Sequence, residues 1–289
     1  MKQRKIRRFQ VCLILLLLVL TSCIKKTIVL PQDQRPLPAK SATRAELFQK
    51  LLEHSEPVQT LKGTVTLDLT RGGTKPGVLD QYRQTRGYVF VERPSHIRIQ
   101  VQLPIVLTTV AIMVSDGQQY RISIPIKNQF AIRDVNEPAT SQSSLGDLRP
   151  QMFLDGLFVD IKSHIDQKSV SNSFEEAVEG IHSYYVFSFF DTSKPDAEVL
   201  EKIWIDRNDL QVARKQVFGK EGRLETEAIY QNYHTHDGID FPDVVTIRRP
   251  VEALTVKMTF QQTSLNEKLD ATVFNLPRPE GAELVQAGH

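Results

Sequence analysis

The chain has 289 residues, of which 40% are hydrophobic and 24% charged, and its formal net charge is +2. That composition belongs to a globular protein and excludes a disordered or fibrous one. Lys2, Arg4, Lys5, Arg7 and Arg8 supply five of the 36 basic residues. Without them 31 remain against 34 acidic residues, a net charge of −3, which gives a nucleic-acid role no electrostatic support.

Those five basic residues precede an unbroken apolar run from Val11 to Leu20, followed by Thr21-Ser22-Cys23. Basic flank, apolar run and small-residue cleavage site together are the pattern of an export signal. At about ten residues the run is half the roughly 20 that a helix needs to cross a bilayer core. Leu20-Thr21-Ser22-Cys23 resembles the lipobox of bacterial lipoproteins, in which the cysteine thiol receives a diacylglyceryl group and the signal is removed. The other reading is an ordinary cleaved signal that contains a cysteine. Lipidation at Cys23 gives residues 1–22 as signal and a stable anchor, since two or more acyl chains hold a bilayer where one binds only marginally. Ile24 stands where the enterobacterial sorting rule places Asp for inner-membrane retention, so the rule points to the periplasmic face of the outer membrane. Cys12 lies in the signal and Cys23 carries lipid, which leaves no thiol for a disulfide, a metal or nucleophilic catalysis.

Residues 24–42 hold Pro31, Pro36 and Pro38 without apolar periodicity, which reads as an extended tether. Thr43-Arg44-Ala45-Glu46 then has the pattern of a capping box, and Leu47, Phe48, Leu51 and Leu52 follow at helical spacing toward Pro57. Beyond it the period changes to two. Leu61, Gly63, Val65, Leu67 and Leu69 alternate with polar neighbours, as do Ile97, Ile99, Val101 and Leu103, and again Leu254, Val256, Met258 and Phe260. Such strands have one apolar and one polar face, as antiparallel sheets solvated on one side do. Further strands are expected over 87–91, 110–115, 119–124, 184–190, 199–206, 212–218, 224–230 and 244–248, with turns at 206–209 and 219–222. About eleven strands thus flank one interruption at 145–174, where Met152, Phe153, Leu157 and Phe158 predict a short helix and Ser173-x-x-Glu176 a second. One α+β domain over 43–289 is the simplest account, and its greasy sheet face must curl around few helices or leave a cavity.

Several constellations carry little chemistry. His234-x-His236-Asp237 lies at a turn with no third metal ligand at a recognisable spacing, and Asp206, Asn208 and Asp209 lack the glycine and closing glutamate of a calcium loop. No catalytic motif stands out, so no catalytic, cofactor or metal residues are assigned. Trp204, between Ile203 and Ile205, reads as core, with cavity lining as the alternative. The aromatic run 184–190 reads as a strand buried on both faces.

Three segments resemble the LolA/LolB superfamily of periplasmic lipoprotein carriers. Gly87-Tyr88-Val89-Phe90-Val91-Glu92-Arg93-Pro94 is similar to that family's strand ending in Arg-Pro, and Val114-Ser115-Asp116-Gly117 to its Val-Ser-Asp-Gly hairpin. Asp270-x-x-x-Phe274 with Pro279-x-Gly281 resembles its closing strand and turn. The likeness runs from Thr43 to Val285. It implies an incomplete antiparallel β-barrel, with helices covering the open side and an apolar cavity between them. It implies that the cavity takes acyl chains of lipoproteins or lipids, for transfer or insertion, and that a periplasmic carrier protein delivers them. Arg93 matches the family arginine that bonds the lid helices, or else it only solvates the sheet rim. Leu103-Pro104-Ile105-Val106-Leu107 falls where LolB-like members carry a protruding loop that meets the membrane. The alternative is a bent strand pair with Ile105, Val106 and Leu107 in the core. A second function class stays open beside the carrier: an envelope stress sensor or structural lipoprotein that binds a protein partner with the same fold.

Overall fold

The computed structural model describes residues 39–55, 58–72, 79–103, 105–137, 149–193 and 195–285. The signal, Cys23 and residues 24–38 of the tether lie outside the described residues, as does Pro104.

Helix α1 spans Arg44–Ser55 and opens as its capping box predicts. The Thr43 amide donates to Glu46 Oε2 at 2.7 Å, the Glu46 amide donates to Thr43 Oγ1 at 3.3 Å, and these bonds hold the Glu46 carboxyl below its usual range. The last tether residues are docked rather than free, because they complete a strand end. The Lys40 amide donates to the Arg207 carbonyl at 2.7 Å and the Ala42 amide to Tyr185 Oη at 3.2 Å.

The strands are β1 Thr60–Gly72, β2 Leu79–Glu92, β3 His96–Gln102, β4 Thr109–Ser115, β5 Gln119–Ile124, β6 Gln129–Asp134 and β7 Val170–Glu179. They continue as β8 His182–Asp191, β9 Glu198–Asp206, β10 Val212–Phe218, β11 Leu224–His236, β12 Ile239–Arg249, β13 Leu254–Leu265 and β14 Glu283–Leu284. Together they form one open sheet in the order β14-β6-β5-β4-β3-β2-β1-β13-β12-β11-β10-β9-β8-β7. Every pairing is antiparallel except the short parallel contact of β14 with β6, and β7 and β14 remain as unjoined edges. Fourteen strands among the described residues replace the expected eleven. The additions are the edge elements β6, β7 and β14; Ser173 and Glu176 lie in β7, not in a helix, because the segment pairs along its length with β8.

One face of the sheet carries the apolar rows. Leu61, Val65, Val89, Val91 and Ile97 from the first half share a buried cluster with Phe187, Ile203, Ile205, Val245 and Ile247 from the second. Strands so far apart in the order meet only if the sheet bends, and what they bend around is helical. Helix α2 (Pro150–Leu157) and α1 contribute Met152, Phe153, Leu154, Leu157, Leu47 and Leu51 to the same cluster, and a single turn, α3 (Lys162–Ile165), follows. Pro150 stands at the first helical position of α2, where its missing N–H costs nothing. Burying each large apolar side chain is worth about 2 kcal/mol, so the inner face is held mainly by this filling.

The outer face has its own cover. Past β13 the chain crosses the outside of the first half, and Phe274, Leu276 and Ala282 pack on Val114 and Phe130. The motif residues explain the path: Asp270 Oδ1 accepts the Thr272 amide at 2.8 Å to start the turn that buries Phe274, and Gly281 (φ +72°) supplies the bend after Pro279. Gly117 has φ +89°, and a Cβ there would lie 2.5 Å from Ser95 Oγ, so the Val-Ser-Asp-Gly turn requires glycine. Trp204 corrects the expectation of a core residue. Ile203 and Ile205 take the inner positions, and the alternation of the strand turns Trp204 outward beneath Arg214, whose guanidinium carbon is 4.6 Å from the ring centroid. The run 184–189 is buried on both faces, as expected.

Candidate functional site

The bent inner face is a trough of apolar side chains with a cover over it. The cover consists of α2, the extended residues 158–161 and α3, with Phe158 and Ile161 buried between helix and sheet. A cleft of about 50 Å³ lies between Phe158 and Val159 on the cover and Tyr230, Tyr233 and Phe241 on the sheet. A cavity that admits benzene measures roughly 150 Å³, so this cleft as it stands is too small for an acyl chain.

Two sets of polar contacts hold the cover, one on each half of the sheet. Arg93 stands at the end of β2 with 15% of its side chain exposed. Its Nη2 meets Asp160 Oδ2, its Nη1 donates to the Val58 carbonyl at 3.4 Å, and its guanidinium lies 5.5 Å from the Phe158 ring centroid. Arg93 therefore touches both the stem before β1 and the cover.

The second set was not legible in the sequence. Lys215 on β10 and Glu201 on β9 point into the trough and are 5% and 4% exposed. Lys215 Nζ donates to the Phe158 carbonyl at 3.1 Å and lies 3.4 Å from Glu201 Oε2, which also faces His164 Nε2 of α3 at 3.4 Å. The His164 ring stacks on Phe189 with centroids 5.0 Å apart. Glu201 Oε1 and Tyr230 Oη are buried without a hydrogen-bond partner among the described residues. Asp155 of α2 faces the same group; burial pushes its carboxyl up, and the nearby Lys215 ammonium only partly opposes this. Parity with Ile203 and Ile205 puts Glu201 on the apolar side of β9, but the strand alone does not show the groups that pair with it.

At the far end of the β3–β4 hairpin, Ile105 is 92% exposed, Val106 65% and Leu107 50%. The Leu107 amide donates to the Leu103 carbonyl at 3.1 Å, and Leu107 has φ +51°, a left-handed conformation that costs a leucine about 1 kcal/mol or more. Strand directions place this tip at the opposite end of the sheet from the β9–β10 turn where Lys40 docks. His234 and His236 both turn on one carboxylate, Asp243, at 2.5 and 3.8 Å. A polar depression lined by Thr64, Thr66, Gln84, Arg86, Gln261 and Gln262 lies on the outer face and is chemically unsuited to hydrocarbon.

No family model matches the chain, and no curated protein does. Among solved structures the chain is similar to a DUF1329 family protein from Desulfovibrio piger, at 13% identity and TM-score 0.52 over 80% of this chain and 95% of that one. It is also similar to a putative outer membrane lipoprotein-sorting protein domain from Vibrio parahaemolyticus, at 10% identity and TM-score 0.50, again over 80% and 95%. A LolA superfamily protein from Nitrosomonas europaea aligns over 82% of this chain and 99% of that one, at 13% identity and TM-score 0.49. At such identities a likeness speaks of fold alone, and the chain shares the fold of the Desulfovibrio piger and Vibrio parahaemolyticus structures.

Proposed function

We propose that this chain is a non-enzymatic lipoprotein of the cell envelope, anchored through lipid on Cys23 at the periplasmic face of the outer membrane. Residues 1–22 are its signal, 23–42 its acylated tether and 43–289 its carrier domain. In this reading the trough binds acyl chains of lipoproteins or lipids after its cover lifts, for transfer or insertion. The observation that supports it is the nature of the filling. Met152, Phe153, Leu154 and Leu157 occupy the inner face on one short helix, held by polar contacts at Arg93 that can break without disturbing a strand. An acyl chain that replaces them regains about 25 cal/mol per Å² of apolar area, so exchange costs little and needs no chemistry.

Arg93 is then the latch. Ile105, Val106 and Leu107 form the tip through which chains meet the bilayer, and a periplasmic carrier protein is the donor. A fully stretched tether of the 17 residues from Cys23 to Lys40 reaches about 60 Å, longer than any strand here, so the anchor does not prevent the far tip from touching the same membrane.

The test is uptake. Full-length chain purified from membranes is analysed by mass spectrometry for bound lipid and mixed with a fluorescent acyl probe. Bound lipid, with faster uptake by Arg93→Leu, is expected; no lipid and no uptake in either form would sink the proposal. The filled trough supports one competing reading, a sensor or structural lipoprotein that binds a protein partner through its closed form. That reading requires a stable partner recovered from membranes with the chain, and indifference to the Arg93 substitution.

A further inference from the structure

Under the cover, Lys215 and Glu201 are buried side by side, with Asp155 of α2 facing them. Glu201 is the fourth residue of β9, Thr226 the third of β11 and Arg249 the last of β12, and strand directions place all three at one end of the trough. From there the inner rows become apolar, with Ile203 and Ile205 on β9, Ala228 on β11, and Val245 and Ile247 on β12. Lys215 stands one rung further in, level with Ile203 and Ala228, so polar groups gather toward one end with apolar rows beyond them, the negative image of an amphiphile.

The partners that the cover gives these charges show what must replace them. Lys215 receives a carbonyl acceptor, the Phe158 oxygen, and Glu201 receives a nitrogen, His164 Nε2. Both partners belong to the cover and leave with it. Arg249 is different: it stays paired on the sheet with Glu252 at 2.6 Å and Thr226 at 2.9 Å, and keeps those bonds. A lifted cover therefore leaves Lys215 and Glu201 with each other at 3.4 Å as sheet partners, opens one position on each, and exposes the unused Glu201 Oε1 and Tyr230 Oη. A head group that displaces water from those two positions must offer an acceptor to Lys215 and a donor to Glu201, because a buried charge that loses a hydrogen bond is penalised.

We infer that Glu201 and Lys215 form a head-group subsite for an amphiphile carrying an amine beside an anionic oxygen, as an aminophospholipid does. The anionic oxygen takes the place of the Phe158 carbonyl on Lys215, and the amine takes the place of His164 on Glu201. A head with only negative charge satisfies Lys215 but presses against Glu201, and a fatty-acid carboxylate does the same. This inference rests on the carrier reading above and names its ligand.

The experiment uses full-length chain reconstituted in acceptor vesicles of phosphatidylcholine. Donor vesicles carry an acyl-labelled phosphatidylethanolamine, phosphatidylglycerol or free fatty acid in parallel arms. Wild-type chain is expected to transfer the ethanolamine lipid about tenfold faster than the glycerol lipid or the fatty acid, the worth of one hydrogen bond to a charged group. Glu201→Gln should remove that preference, while Lys215→Met should slow transfer of all three lipids and Lys215→Arg, which keeps the charge, should not. Equal transfer of the three lipids by wild type overturns the inference and leaves the carrier reading intact, and this arm needs no variant to fold. A preference that survives in folded Glu201→Gln, or undiminished transfer by folded Lys215→Met, also overturns it. Failure to move any lipid overturns the carrier reading and this inference with it.

Discussion

A Cβ placed on Gly156 would stand 2.4 Å from Cδ1 and 2.6 Å from Cγ1 of Ile247, so α2 lies on β12 at a separation that only glycine permits. The close approach is what lets an eight-residue helix bury six of its side chains or backbone positions in the trough. Gly156→Val should push α2 away and cost about 1–3 kcal/mol, the usual penalty of overpacking. Because the strands are joined to one another and not through α2, the strand signal in far-UV circular dichroism should persist while binding of a hydrophobic dye rises. Loss of the strand signal at the same midpoint would show that the cover is an inseparable part of the core.

How much of this was legible in the sequence depends on which side of a residue the information lies. Interior strands announce themselves, since Leu61 to Leu67 and Leu254 to Phe260 alternate without interruption and both lie buried as read. Edge strands do not. β7 carries only Val170 and Phe174 toward the core, with Asn172 between them, so its inner row is not apolar and Ser173-x-x-Glu176 reads as a helix start. The outward placement of Trp204 follows from parity with Ile203 and could have been read; hydrophobicity alone misled. Arg93 was found because a motif marks it. Lys215 and Glu201 were not, because nothing in a single strand reveals a charge whose partner is 57 residues away on a carbonyl.

Arg93→Leu should loosen the cover more than it unfolds the domain. The change removes a half-exposed ion pair, a bond to the Val58 carbonyl and a cation–π contact with Phe158, together worth about 1–2 kcal/mol. Hydrogen exchange checks it: amides of α2 and 158–165 should lose protection, while those of β11 to β13 keep theirs. Uniform loss across the sheet would make Arg93 a general stabilising residue and not a latch.

Ile105→Asp, Val106→Asp and Leu107→Asp should each change the unfolding midpoint little, within about 0.5 kcal/mol, because these side chains are already in water. Leu107→Gly should stabilise slightly by relieving its positive φ. The same Asp variants should weaken flotation with vesicles if the tip meets the bilayer as proposed. Unchanged flotation in all three would remove the tip from the functional site.

Asp155 predicts how the cover responds to pH. Burial raises its carboxyl pKa in the folded chain, so the folded state holds this proton more tightly than the unfolded state does. The resulting stabilisation is complete below the unfolded value near pH 4 and is lost as pH rises through the folded value. At neutral pH the ionised group is thus a burden on α2, eased in part by Lys215. Asp155→Asn keeps an oxygen for the Gln151 side-chain amide, which donates to Oδ1 at 2.6 Å, and carries no charge at any pH. The variant should unfold later than wild type at pH 7, and the gap should close as the solution is taken toward pH 3. Paired denaturation curves across that interval decide the matter: a wild type more stable than the variant at pH 7 would mean that the Asp155–Lys215 attraction outweighs desolvation, and that the cover is pinned by this carboxylate and not strained by it.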